Sequence, residues 1–288
     1  MTPRLDRLCK TVGLYIVSVL LIYAAPLNGQ KVAILTPDNT ESSKTYAAKL
    51  EGALERKVKV FDESLSDTAF DSAKPDTPFN LTKELSQKIG TAIGCDYFIL
   101  IRSATLRRSA SKRPEYYEAN AVIYVVSSRT GRLVFWKLQK FESDKAREAE
   151  KLLAGSADRL AAAFAAKMSE TSRSEVSEPV PSPIEEVPDA NSPDAKNFRA
   201  PVPFRRIKPE YTADAAFYDV KATVDILIDL DSAGSITRTE IVRWAGYGLD
   251  EAVEKAVRAM NWRPAERNGK TLPMRFLVRY NFKKVDKE

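Results

Sequence analysis

From Val220 to Leu230 the sequence reads Val-Lys-Ala-Thr-Val-Asp-Ile-Leu-Ile-Asp-Leu. Val220, Ala222, Val224, Ile226, Ile228 and Leu230 fall on one face at period two, and Lys221, Thr223, Asp225 and Asp229 fall on the other. The pattern predicts a strand buried on one side only. That constrains the whole end of the chain, because such a strand needs partners in its own sheet and an apolar cover.

The residues that follow supply both. A turn at Asp231-Ser-Ala-Gly234, with glycine where a tight hairpin uses positive φ, leads to a second strand over 235–243. Leu249, Val253, Ala256, Val257 and Met260 recur as one apolar helical stripe, which predicts a helix over 251–260 that Pro264 ends. A Gly269-Lys270 turn then precedes a last strand over 274–282.

The order Pro-x-Tyr, strand, D-x-x-G turn, strand, L-D-E-A helix, W-R-P-A, glycine turn and strand resembles the TonB C-terminal domain. The resemblance covers residues 201–284, and Leu249-Asp250-Glu251-Ala252 with Trp262-Arg263-Pro264-Ala265 is its most specific part. Thr212 stands where the family often has proline, and Asp219 where it often has glycine before the first strand. The resemblance implies a periplasmic domain that binds the short amino-terminal box of an outer-membrane TonB-dependent transporter. It also implies an anchor engaging a proton-driven motor of the ExbB-ExbD type. This chain has no histidine, so the anchor lacks the residue that usually couples to that motor.

Residues 1–30 read as an export segment. Arg4, Arg7 and Lys10 precede the apolar run from Thr11 to Ala25. As an anchor, residues 11–27 would span about 25 Å as helix, against a bilayer core of about 30 Å. As a signal peptide, the segment would be cleaved near Gly29. Either way the remainder is expected in the periplasm, and export argues against nucleic acid as partner despite the net charge of +6. Only Cys95 lies in the exported part, which leaves no intramolecular disulfide and predicts a partly buried, inert thiol.

Residues 31–168 read as a three-layer-like α/β domain in the order β-α-β-α-β-β-β-α. Strands are expected at 32–35, 58–61, 97–104, 116–127 and 133–141, with a long closing helix over 144–168. The run from Tyr97 is apolar at nearly every position, which predicts a central strand. This architecture resembles the TolB amino-terminal domain and CsgG-type envelope proteins, and implies binding rather than chemistry. Residues 169–200 read as a disordered Pro/Glu-rich linker with a reach of roughly 100 Å. The fold expected is therefore α/β, linker, then a small α+β domain with an antiparallel sheet over 201–288.

With no histidine, the commonest general base, most zinc sites and every Ser-His or Cys-His nucleophile are excluded. No phosphate loop or nucleophile elbow is present, so no cofactor and no enzyme is expected. Asp229, Asp231 and Glu240 partly match a calcium loop, but alanine at the third ligand position and flanking strands predict a hairpin turn instead.

The expected partner-binding residues are Arg205 and Arg206 in the basic entry, Tyr211, and Arg275, Leu277 and Arg279 on the last strand. That strand is the candidate edge for pairing with an extended peptide, its arginines protecting it from indiscriminate pairing. An open edge also permits a homodimer through strand pairing. Two functions fit: a TonB-like transducer that couples inner-membrane energy to transport, or a soluble periplasmic adaptor with no energy input.

Overall fold

A computed structural model of the chain describes residues 29–179 and 183–284. The expected export segment lies outside these residues except for Gly29 and Gln30. Among the described residues, no helix is long and apolar enough to cross a membrane.

In the first half, β1 (Lys31–Leu35), α1 (Glu41–Leu54), β2 (Lys59–Val60), α2 (Glu63–Ser72), α3 (Lys83–Ile93), β3 (Tyr97–Ala110), β4 (Arg113–Ser127) and β5 (Leu133–Ser143) precede two helices, α4 (Ala146–Gly155) and α5 (Ala157–Ser177). The strands form one sheet in the order β2-β1-β3-β4-β5, parallel around β1 and antiparallel from β3 onward. β3 is central, and Tyr97 to Ile101 are all buried. One sheet face, with Ile99, Ile101, Ile123 and Val125, packs under α1, α4 and α5 through Tyr46, Leu50, Leu153 and Phe164.

Three departures from the sequence pattern have local causes. The polar stretch after β2 contains α2, because the Asp62 carboxylate caps it by accepting from the Leu65 N–H and Phe70 is buried. The closing helix breaks at Ser156, whose hydroxyl donates to the Leu153 carbonyl at 2.6 Å. It also runs past Met168 to Ser177, because polar bonds hold its last turns to the sheet. The Tyr97 hydroxyl donates to the Met168 carbonyl at 2.9 Å, and the Glu175 carboxylate accepts from the Ser127 and Thr130 hydroxyls.

The second half contains β6 (Phe198–Arg199), β7 (Val202–Pro203), α6 (Ala213–Phe217), β8 (Ala222–Leu230), β9 (Ile236–Arg243), α7 (Leu249–Arg258), β10 (Trp262–Arg263), β11 (Ala265–Arg267), β12 (Lys270–Leu272) and β13 (Met274–Phe282). Its main sheet is antiparallel in the order β13-β8-β9. The small strands pair as β10 with β7 and as β12-β11-β6. Gly234 has φ of +86° in the β8–β9 hairpin, where the Asp231 carboxylate accepts from the Ala233 and Ser235 N–H groups at 2.8 Å.

Val224, Ile226, Ile228 and Leu230 are fully buried together with Val253 and Val257 of α7. The opposite face of β8 differs from the one-sided expectation. Asp225 and Asp229 are also buried, at 4% and 7% exposure. Arginines on β13 cover and neutralise them, a compensation that period-two hydrophobicity does not register.

The two halves share one apolar core. Phe98, Leu100, Val122 and Tyr124 from the first sheet's other face, with Leu81 from the segment before α3, pack with Trp244, Ala245 and Tyr247 from the loop after β9. Gly246 in that loop has φ of +69°, and a Cβ there would stand 2.7 Å from Cε1 of Tyr124, so both backbone and packing require glycine. Polar bonds fix the same junction. The Asn80 amide donates to the carbonyls of Thr223 and Trp244 and accepts from the Thr223 N–H, and Thr82 forms an antiparallel bridge with Arg243.

Candidate functional site

The edge is built by charge pairing across the β8–β13 ladder. Its register sets Arg275 opposite Asp229, Leu277 opposite Leu227 and Arg279 opposite Asp225. Arg275 Nε and Nη2 each lie 2.7 Å from the Asp229 carboxylate, and Arg279 makes the equivalent fork to Asp225 at 2.7 and 2.9 Å. Each carboxylate holds its arginine more firmly protonated than usual. The two arginines are therefore braces of the sheet. Between them Leu277 stays 49% exposed.

β13 pairs with β8 on one side only. On the other side the Arg275 N–H donates to the Glu185 carbonyl at 2.7 Å, and the Val187 N–H donates to the Arg275 carbonyl at 3.2 Å. Backbone groups alternate sides along a strand, so Leu277 and Arg279 turn their N–H and C=O groups the same way as Arg275. Among the described residues, no backbone bond reaches Leu277 or Arg279 from that side. The result is a sheet edge engaged at one end and open along the rest.

The other expected site residues are placed differently from one another. The Tyr211 hydroxyl lies 3.1 and 2.9 Å from the Ala215 and Val220 carbonyls, and its ring stacks on Phe282 at 6.2 Å, so it pins the entry segment to the end of β13. Arg205 and Arg206 are exposed. Burial raises the Tyr280 phenol of β13, and the Arg206 charge partly opposes that rise. Cys95 is buried and its thiol is pushed up, chiefly by burial.

The motif residues acquire structural reasons. Asp250 accepts from the Ala245 and Gly246 N–H groups at 2.8 and 2.7 Å, which closes the loop before α7; burial pushes its carboxyl up to about 7 against those two donors. Asp250→Ala leaves both buried donors unpaired and is expected to cost about 1–3 kcal/mol in urea unfolding. Trp262 is buried edge-on against Phe276 at 5.1 Å. Asp219 takes φ of +50°, the conformation for which glycine is usual, and Thr212 caps α6 while donating to the Tyr247 carbonyl at 2.6 Å.

Asp225, Asp229 and Glu185 were not among the expected site residues. A signal for the first two was present: aspartates four apart on one strand face match arginines four apart on another. Nothing comparable marked Glu185.

The family profile described as the Gram-negative bacterial TonB protein C-terminal matches residues 207–283. No curated protein matches the chain. Among solved structures, the Pseudomonas aeruginosa TonB C-terminal domain is 20% identical, with 34% of this chain and 93% of that one covered at a TM-score of 0.26. A hypothetical protein from Chlamydia trachomatis is 12% identical, covering 49% and 99% at 0.34. A lipoprotein from Neisseria meningitidis is 13% identical, covering 47% and 98% at 0.33.

Proposed function

We propose, residues 207–283 being a TonB C-terminal domain, that the β13 edge binds an extended peptide by strand pairing. The peptide in this reading is the amino-terminal box of an outer-membrane TonB-dependent transporter, met in the periplasm. The observation that carries it is the one-sided pairing of β13, which leaves the outward backbone groups of Leu277 and Arg279 free among the described residues. Main-chain bonds would supply the affinity and the flanking side chains the selectivity. Because Asp225 and Asp229 neutralise the two arginines, the edge repels a partner less than two free cations would.

Leu277→Pro removes an outward N–H from this edge, and its ring opposes a paired strand. Binding of labelled synthetic peptides carrying transporter boxes from the same genome is expected to weaken at least ~10-fold, or about 1.4 kcal/mol. Fluorescence anisotropy reads the affinity, and circular dichroism checks that the variant is folded. Unchanged affinity in a folded variant rejects this edge.

The adaptor reading is favoured over energy transduction by the apolar core that the two halves share. A domain packed in this way is not held out on a long tether, and residues 183–187 lie along β13. Retention of residues 1–30 separates the two readings. A mature chain that starts near Gln30 in the soluble fraction has no membrane anchor through which force could be applied.

A further inference from the structure

We propose that residues 183–187 are a built-in competitor for the β13 edge, a strap that an incoming peptide has to displace. The inference rests on the reading of β13 as a docking edge and adds its regulation and the form of its partner. Glu186 forms a parallel bridge with Arg275, made of the bonds from the Arg275 N–H to the Glu185 carbonyl and from the Val187 N–H to the Arg275 carbonyl. The Glu185 carboxylate also pairs with Arg267 of β11. An extended acidic segment is thus already bound to the edge in the way a ligand strand would be.

The strap is weak by construction. It makes one bridge, Pro188 follows at once, and the chain then turns away as the Ser192 N–H donates to the Asp189 carbonyl. It is nevertheless held nearby, because Glu178 before it forks onto Arg132 and β6 after it pairs with β11. Tethering at both ends raises its effective concentration and lets a single bridge persist. A free peptide that also pairs at Leu277 and Arg279 makes more main-chain bonds than the strap. The geometry therefore specifies the partner: an extended segment parallel to β13, long enough to reach Arg279, with a carboxylate placed for Arg267.

The test uses the full chain and the double variant Glu185→Gln, Val187→Pro, which removes the ion pair and one main-chain bond. Amide hydrogen exchange is read at Arg275, with Phe276 and Val278, which alternate toward β8, as folded controls. The probe is a labelled synthetic peptide with the chain's own sequence from Pro183 to Asn191, which in the register of the strap reaches Arg279. In the variant, Arg275 is expected to exchange at least ~10-fold faster and the peptide to bind at least ~10-fold tighter, both equivalent to about 1.4 kcal/mol. Equal exchange rates in parent and variant overturn the strap. Faster exchange with equal, measurable binding overturns the competition and leaves the docking edge standing. Faster exchange with no binding by either protein also overturns the competition, and the transporter-box titration with Leu277→Pro decides the docking edge separately.

Discussion

Trp244→Ala is expected to destabilise the chain by about 3–5 kcal/mol and to loosen both halves together. Trp244 is 1% exposed and its ring lies 5.5 Å from that of Tyr124 on the first sheet. Its indole N–H has no hydrogen-bond partner among the described residues, so the substitution removes packing without stranding a side-chain acceptor. What remains is a cavity at the junction, whose walls are Tyr124 on one side and the α7 side of the TonB domain on the other. Guanidinium unfolding gives the total. Hydrogen exchange at Phe98 and Leu100, in the buried first part of β3, gives the distribution. If the halves were independent, those amides would keep their protection while only the second half weakened. A shared core requires that they lose it as well.

The same junction shows where sequence reading reaches and where it stops. Period two along β8, the apolar run of β3 and the stripe of α7 are each satisfied by burial within one element, so local pattern was enough. The β8–β9 pairing follows from the hairpin turn between them, but the crossover that sets β13 beside β8 rather than β9 does not follow from the order of elements. Likewise, Val122, Tyr124 and Val126 of β4 looked like the second face of an ordinary buried strand. Nothing in their spacing says that Trp244 and Tyr247 cover them, from more than a hundred residues away. The strap was hidden for a related reason. Residues 183–187 are polar and proline-flanked, a composition that cannot make its own core, yet two backbone bonds place them on β13 and an ion pair ties Glu185 to β11. Composition measures what a segment can bury alone, and edge pairing needs no burial of its own.

Glu240→Ala is expected to cost about 3 kcal/mol near neutral pH, toward the lower end for breaking a buried ion pair because the surrounding cations are partly solvated. The carboxylate on β9 is only 8% exposed and meets three of them: Lys83 Nζ at 2.5 Å, Arg238 Nη2 at 2.7 Å and Arg132 Nη2 at 3.1 Å. Lys83 and Arg132 belong to the first half, so this cluster is the electrostatic counterpart of the Trp244 contact. Burial pushes the Glu240 carboxyl up, and the lysine and arginine partners outweigh it, holding the group below its usual value of 4.5. The direction fixes the pH dependence. A carboxyl lowered on folding adds stability that is fully present above its unfolded value and is lost as pH falls through its folded one. The difference in unfolding free energy between the parent and Glu240→Gln is therefore expected to be level from pH 7 to about 5, and to shrink as the pH is taken below about 4. The glutamine keeps the size and one acceptor, so the comparison isolates the charge. A difference that stays constant into acid would mean that the three cations find other counter-charges, and that apolar packing at Trp244 holds the two halves together without help from Glu240.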